Sequence, residues 1–291
     1  MYTKILVPLD GSSLSEQILP YARIFAETYG IPVELLRVND PDIRPPFWPT
    51  LPGREYLQQV AARYLPPSVR IDAVEESGKP AEVIVDRAKG DPACLIAMAT
   101  HGLSGARRWL LGSVASKVAH TTTNPLVFIR PAEGGEPAMR IELKLVVVPL
   151  DGSGLAEKVL PYVIALAKKM KLEVHLVRVY TLPTDAYMVG GGVYYLQAFE
   201  QQREAIKKEA ETYLEGQVEE LRAEGLDQVI STAIEGDPAS EIIDLACKTP
   251  NNLVAMSSHG RSGIAQWMLG GVAEKVIHHS RDPVLVIRPT E

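Results

Sequence analysis

The feature that most constrains the fold of this chain is an internal repeat. The stretch THGLSGARRWLLGSVASKV at residues 100–118 returns as SHGRSGIAQWMLGGVAEKV at residues 258–276. The segment KILVPLDGS at residues 4–12 returns in KLVVVPLDGS at residues 144–153. Self-similarity over such long stretches indicates a structural unit that is present twice. Any fold proposed for the chain therefore has to be built from two copies of one unit.

The repeat also sets the expected domain boundaries. Matching positions are separated by 141 residues near the start of the units and by 158 residues at Gly78 and all later positions. The second unit therefore carries about 17 extra residues. PLVFIRP closes the first unit and PVLVIRP the second, while GGEPAMR at 134–140 is typical of a short linker. We predict domains at residues 1–133 and 141–291, joined by the linker 134–140.

Within each unit, short apolar runs alternate with amphipathic stretches. The runs ILVP, VELLRV, VRIDAV, CLIAMA and LVFI are continuous, as expected for strands buried on both faces. Between them lie stretches such as SLSEQILPYARIFAETYG, which ends on a glycine suited to a helix C-terminus. The pattern predicts an α/β protein with two tandem open parallel five-stranded sheets, Rossmann-like and with helices on both faces.

The extra residues of the second unit predict a long helix. Apolar residues recur there close to helical spacing up to about Arg222, namely at Phe199, Ile206, Ala210, Tyr213, Val218 and Leu221. We expect this helix to cover the sheet; an arm that binds a protein partner is the alternative. The first unit instead has PDIRPPFWPTLPGREY at 41–56, a proline-rich segment that suits either a covering loop or a lid over a site.

Composition and charge exclude several classes of protein. The formal charge is −6, and residues 1–133 carry 14 basic and 14 acidic side chains, so no dense basic stripe points to nucleic acid. No apolar run approaches the roughly 18 residues of a membrane helix, and the start MYTKILVPLDGSS lacks a signal-peptide core. Cys94 and Cys247 occupy non-equivalent places, which predicts buried, reduced thiols in a cytoplasmic protein.

The repeated polar and glycine residues predict a ligand site at one edge of each sheet. Ligands of open parallel sheets bind at the carboxyl ends of the strands, where the strand order reverses. Asp10 follows the first strand and Val38 ends the second, while residues 101–113 follow the fourth. Gly102 would let the backbone approach a phosphate closely, and Gly112 precedes a helix whose N–H groups can hold an anion. A carboxylate beside a phosphate nest suits a nucleotide.

Two of these features also have structural interpretations. Asp10 and Asp151 are followed by Gly-Ser and would suit helix N-caps. His101 and His259 have no repeated carboxylate or nucleophile beside them, so we expect them to position the backbone and not to act in catalysis.

The spacing of the glycines resembles that of the universal stress protein family, in the tandem form of its ATP-binding branch. That family carries glycine, two residues, glycine, nine residues, glycine, then serine or threonine. Residues 99–113 read ATHGLSGARRWLLGS, with Ala99 in place of the leading glycine. Residues 257–271 read SSHGRSGIAQWMLGG, with Ser257 for the leading glycine and Gly271 for the final serine.

The resemblance implies an adenine nucleotide alpha hydrolase-like fold with an ATP site in each unit and Mg²⁺ or Mn²⁺ on the phosphates. Asp10 would bond the ribose, and the backbone of Val38 would meet the adenine. The implied binding residues are Pro8, Asp10, Val38, Ala99, Gly102, Gly112, Ser113 and Val114, then Pro149, Asp151, Val179, Ser257, Gly260, Gly270, Gly271 and Val272. Because Gly271 lacks a hydroxyl donor worth about 1–3 kcal/mol to a charged partner, we expect the first site to bind more tightly.

The resemblance also implies a role and an assembly. It predicts a nucleotide-responsive regulator of stress survival whose last strands, Leu126–Arg130 and Val284–Arg288, pair within one chain as a pseudo-dimer; a homodimer of chains is the further alternative. No P-loop or nucleophile-elbow motif is present, and we predict neither catalytic residues nor protein metal ligands. A slow ATPase and a protein-binding scaffold with a vestigial second site are the alternatives.

Overall fold

The computed structural model describes residues 1–42, 52–102, 111–132, 134–182, 193–260 and 269–288. The elements of the first half are β1 Lys4–Pro8, α1 Ser13–Glu16, α2 Leu19–Tyr29, β2 Val33–Asn39, α3 Gly53–Tyr64, β3 Ile71–Ser77, α4 Pro80–Lys89, β4 Cys94–Ala99, α5 Ser113–Thr121 and β5 Leu126–Ile129. Those of the second half are β6 Leu145–Pro149, α6 Gly154–Glu157, α7 Leu160–Met170, β7 Glu173–Tyr180, α8 Val193–Ala223, β8 Val229–Glu235, α9 Pro238–Lys248, β9 Asn252–Ser257, α10 Gly271–His279 and β10 Val284–Ile287.

All ten strands form a single sheet in the order β3-β2-β1-β4-β5-β10-β9-β6-β7-β8. Pairing is parallel within each half, and the halves meet where β5 and β10 pair antiparallel, with Val127 opposite Leu285. The α/β class is confirmed, and the two predicted five-stranded sheets are continuous across this seam. The observed pairs run over 126–128 and 284–286, within the strands predicted to pair.

Helices cover both faces of the sheet, as predicted. One core contains residues of α2, α3, α7 and α8, and it includes Phe25, Leu57, Val163 and Leu214. The other core contains residues of α4, α5, α9 and α10, and it includes Ile84, Val118, Ile242 and Val276. Both cores extend across the seam between the halves, which gives the two units a shared interior. The boundaries 1–133 and 141–291 stay a prediction.

One strand departs from the expected burial. The sequence VRIDAV predicts a strand buried on both faces, but β3 lies at the edge of the sheet and each of its residues is half-buried or exposed. An edge strand meets solvent along one side, so the charged residues Asp72, Glu75 and Glu76 are tolerated there.

The stretch from Ser13 to Tyr29 forms two helices and not one. Pro20 has no backbone N–H and cannot donate a hydrogen bond to the preceding turn. A new helix, α2, therefore begins at Leu19 with Pro20 in its first turn. The predicted C-terminal glycine is confirmed: Gly30 has φ = 65° and its N–H donates to the carbonyl of Ala26 at 2.8 Å. The second half breaks in the same way at Pro161.

The long helix of the second half covers the sheet, as expected. α8 spans 31 residues, and Ala210, Leu214 and Leu221 are buried against the sheet. Residues 43–51 of the proline-rich segment in the first half lie outside the described residues, so its role as a covering loop or lid stays a prediction. None of the described helices combines the length and the apolar character needed to cross a bilayer.

The two cysteines differ in environment. Cys94 is buried on β4, and this burial raises the pKa of its thiol to about 12. Cys247 is exposed, so the prediction that both thiols are buried is wrong for this residue. The reason is helical phase, because α9 buries Ala246 and therefore turns the next residue toward water.

Candidate functional site

Two pockets open at the carboxyl ends of the central strands, one in each half. The wall of the first contains every first-half residue implied by the resemblance, namely Pro8, Asp10, Val38, Ala99, Gly102, Gly112, Ser113 and Val114. The wall of the second contains their counterparts, namely Pro149, Asp151, Val179, Ser257, Gly260, Gly270, Gly271 and Val272. The fold thus brings each predicted set together in one place.

The two pockets differ in size. The second has a cavity volume of about 730 Å³, within the range of roughly 300–1,000 Å³ that is usual for small-molecule sites. The first has about 130 Å³. In the second half α8 contributes Ile206 and Glu209 to the wall. This difference runs against the expectation that the first site is the tighter one, which stays a prediction.

Asp10 is held by the turn that follows β1. Its Oδ1 accepts hydrogen bonds from the backbone N–H of Ser12 at 3.0 Å and from the Ser12 hydroxyl at 2.6 Å. Ser12 in turn caps α1, since its Oγ accepts from the N–H of Ser15 at 3.1 Å. The helix-cap interpretation of Asp10 is therefore wrong, because the cap is Ser12 and the aspartate orients it.

The second half repeats this arrangement. Asp151 Oδ1 accepts from the N–H of Ser153 at 2.9 Å and from its hydroxyl at 2.6 Å. Ser153 caps α6 by accepting from the N–H of Ala156 at 3.2 Å. In both halves Oδ1 is thus engaged by the turn, which fixes the direction of the other carboxylate oxygen.

That second oxygen lies against a glycine backbone. A Cβ built on Gly102 would overlap with Asp10 Oδ2 and lie 2.8 Å from Asp10 Cγ. A Cβ on Gly260 would likewise overlap with Asp151 Oδ2 and lie 2.9 Å from Asp151 Cγ. A side chain at either glycine would have to displace the carboxylate. The glycines of the repeated motif therefore let the aspartate pack directly against the loop after the fourth strand.

The next glycine places a helix N-terminus at the pocket. Gly112 is the N-cap of α5, and its N–H donates to the carbonyl of Thr100 at 2.9 Å. A Cβ there would lie 3.0 Å from that carbonyl oxygen, tighter than most Cβ contacts. Among the described side chains none caps α5, so the first-turn N–H groups remain available to an anion. Gly270 is the equivalent N-cap of α10.

The repeated histidines are tied to the residue before them. Nδ1 of His101 lies 3.0 Å from the hydroxyl of Thr100, and Nδ1 of His259 lies 2.9 Å from that of Ser258. Both histidines line their pockets. These contacts join neighbouring side chains, so the expectation that the histidines position the backbone stays a prediction.

Several residues of the pocket walls were not predicted. The second wall also contains Arg178, whose guanidinium lies 4.9 Å from the centre of the Tyr213 ring and donates to Glu209 at 2.9 Å. It further contains Asp237, the N-cap of α9, and Lys275 of α10. The repeated Gly-x-Pro-Ala sequence at 78–81 and 236–239 was a usable signal for α4 and α9. Within the described ranges, no three His, Cys, Asp or Glu side chains are grouped as metal ligands.

Comparison with known proteins supports the fold over the whole chain. Structures of a protein from Pseudomonas aeruginosa and of a universal stress protein from Archaeoglobus fulgidus each cover 99% of this chain, with TM-scores of 0.71 and 0.63. They cover 93% and 97% of their own chains and are 15% and 22% identical in sequence. At that identity the likeness concerns the fold alone.

Sequence relatives carry the same family name. A universal stress protein of Mycobacterium tuberculosis is 24% identical over 98% of this chain and 96% of its own length. One from Methanocaldococcus jannaschii is 30% identical over 50% of this chain and 82% of its own length. A model of the universal stress protein family matches twice, at residues 1–130 and 142–288. The chain therefore belongs to the universal stress protein family and carries the family's domain twice in tandem.

Proposed function

We propose that this chain binds ATP and acts in the cytoplasm as a nucleotide-responsive regulator of stress survival. One repeated observation carries the proposal: in each half an aspartate carboxylate packs against a glycine backbone, at the same pocket as a helix N-terminus that no described side chain caps. A carboxylate suits the hydroxyls of a ribose, and a helix N-terminus suits a phosphate. These groups lie together in both pockets.

Each part of the nucleotide has suitable partners in this arrangement. Val38 and Val179, at the ends of β2 and β7, offer an apolar wall and backbone groups to the base. Asp10 and Asp151 would accept hydrogen bonds from the ribose. The triphosphate would lie on the N-termini of α5 and α10, and Mg²⁺ or Mn²⁺ would be held chiefly by phosphate oxygens.

Two other functions make different predictions. A slow ATPase would release phosphate from Mg-ATP above the level of a Gly112→Val variant. We expect equal release, because the turn after β1 holds Asp10 and the hydroxyl of Thr100 contacts His101. A scaffold with a vestigial second site is suggested by Gly271, yet the second cavity is the larger one. Under that alternative, a chain that lacks residues 190–212 would still fold but would no longer bind its protein partner. If two chains form a homodimer, its formation would then be the same with and without ATP.

Isothermal titration calorimetry with Mg-ATP tests the proposal. The double variant Gly102→Ala/Gly260→Ala adds two methyl groups against Asp10 and Asp151, and we expect at least a tenfold loss of affinity. Gly216→Ala is the matched control, since a Cβ at Gly216 meets no atom within 4 Å. Wild-type protein that binds no ATP at millimolar concentration, or a double variant that binds like the control, would contradict the proposal.

A further inference from the structure

Equivalent lysines of the two halves have different surroundings. Lys117 and Lys275 occupy the same position of the repeat, four residues after the first residue of α5 and of α10. In the first half Lys117 Nζ donates to Glu82 Oε1 on α4 at 2.7 Å. The hydrogen bond and charge of Lys117 lower the pKa of that carboxyl group. Lys117 is thereby held between α5 and α4, and the described wall of the first pocket does not include it.

In the second half the position equivalent to Glu82 holds no acidic residue. The residue equivalent to Glu82 is Ser240 on α9. Ser240 is engaged with the α9 N-cap, since its N–H and hydroxyl donate to Asp237 Oδ2 at 3.0 and 2.9 Å. Lys275 faces the other oxygen of Asp237, and its Nζ lies 3.9 Å from Oδ1. At this separation the two groups form an ion pair without a hydrogen bond, so the ammonium group keeps its donors for another acceptor.

Lys275 is also directed toward the predicted phosphate region. Side chains on a helix lean toward its N-terminus, and Lys275 lies just beyond the first turn of α10. It is part of the second pocket's wall together with Gly270 and Gly271. The pocket wall also contains Arg178, but its guanidinium is bonded to Glu209.

We propose that Lys275 binds a phosphate group of the anionic ligand in the second pocket, where it replaces the hydroxyl that Gly271 lacks. The inference rests on the proposed function and assigns the second site a side-chain cation whose counterpart, Lys117, is not in the described wall of the first pocket. The two sites then hold phosphate by different means, through the Ser113 hydroxyl in one half and through the Lys275 ammonium in the other.

The expected effect is modest, because the Lys275 side chain is 61% exposed and its charge is partly screened by water. We expect Lys275→Gln to weaken ATP binding at the second site about three- to tenfold. Adenosine, which has no phosphate, should bind equally to both proteins. Lys117→Gln is the matched control, since it removes the equivalent charge outside the pocket.

The experiment uses the full chain with Gly102→Ala, so that binding reports the second site. Calorimetry at low and at high salt compares ATP and adenosine for this protein, for Lys275→Gln and for Lys117→Gln, with Lys275→Arg as rescue. A loss confined to ATP, smaller at high salt and absent in the Lys117 control, supports the proposal. An unchanged ATP affinity, or an equal loss for adenosine, overturns it.

Failure of the proposed function is distinguishable. If the Gly102→Ala protein with Lys275 intact binds no ATP, the second site is not a nucleotide site, and inorganic triphosphate is then titrated into the same set of proteins. Weaker triphosphate binding by Lys275→Gln would still support a role for Lys275 in anion binding. Equal binding, or none, would overturn it.

Discussion

The substitution Gly271→Ser tests whether the missing hydroxyl limits the affinity of the second site for ATP. A Cβ built on Gly271 meets no atom within 4 Å, and the residue begins α10 with ordinary helical geometry. A serine therefore fits without displacing a neighbour. It would present its hydroxyl where Ser113 stands in the first half.

The size of the effect follows from the bond that is added. A hydrogen bond to a charged group contributes about 1.5–3 kcal/mol. At about 1.4 kcal/mol for each factor of ten, Gly271→Ser should tighten ATP binding at the second site by about 10- to 100-fold. Gly271→Ala is the control, because it reduces the conformational entropy of the unfolded chain in the same way but adds no hydroxyl.

Calorimetry in the Gly102→Ala background gives the dissociation constants of the second site. We expect the Gly271→Ser protein to bind ATP most tightly and the Gly271→Ala protein to bind it about as tightly as the parent protein. The converse change, Ser113→Gly, should weaken the first site by a similar factor in a Gly260→Ala background. If serine and alanine at position 271 give the same affinity, the hydroxyl does not contact the ligand and the reasoning is refuted.

Two further predictions concern stability. Burial raises the pKa of Asp282 to about 6 from 3.8, so its stabilising contribution is complete below pH 3.8 and is lost as the pH rises through 6. The equivalent position of the first half holds Asn124, so Asp282→Asn is the natural substitution. In urea denaturation it should raise the free energy of unfolding by about 1 kcal/mol at pH 7.5 and leave it unchanged at pH 3.5. An equal gain at both pH values would contradict this. Arg87 donates to both Glu34 and Glu76, and Arg87→Leu should lower the unfolding free energy by about 1–2 kcal/mol at pH 7; an unchanged urea midpoint would show that the network contributes nothing.

The repeat explains why so much of the fold could be predicted. Continuous apolar runs such as CLIAMA are typical of strands covered on both faces, and β4 is buried throughout. The matching ends PLVFIRP and PVLVIRP supply two similar apolar strands, which pair at the seam between the halves. By contrast, the position of β3 at the sheet edge depends on strand order, which its own sequence does not determine.

The site was predictable in its backbone and less so in its side chains. Glycine spacing is local, and Gly102 and Gly260 lie against the aspartates as the motif implies. The environment of Lys275 depends on Asp237 at the start of another helix, a contact that no local pattern reports. Pocket volume likewise depends on how α8 lies over β7, and the segments 103–110 and 261–268 of the motif lie outside the described residues.

Counting bound nucleotides by native mass spectrometry tests the central claim most directly. With saturating Mg-ATP, we expect wild-type chains to carry two nucleotides, one in each half. Gly102→Ala and Gly260→Ala should each carry one, and the double variant should carry none while keeping the charge-state distribution of a folded protein. Wild-type chains that remain unliganded at millimolar ATP would contradict the account.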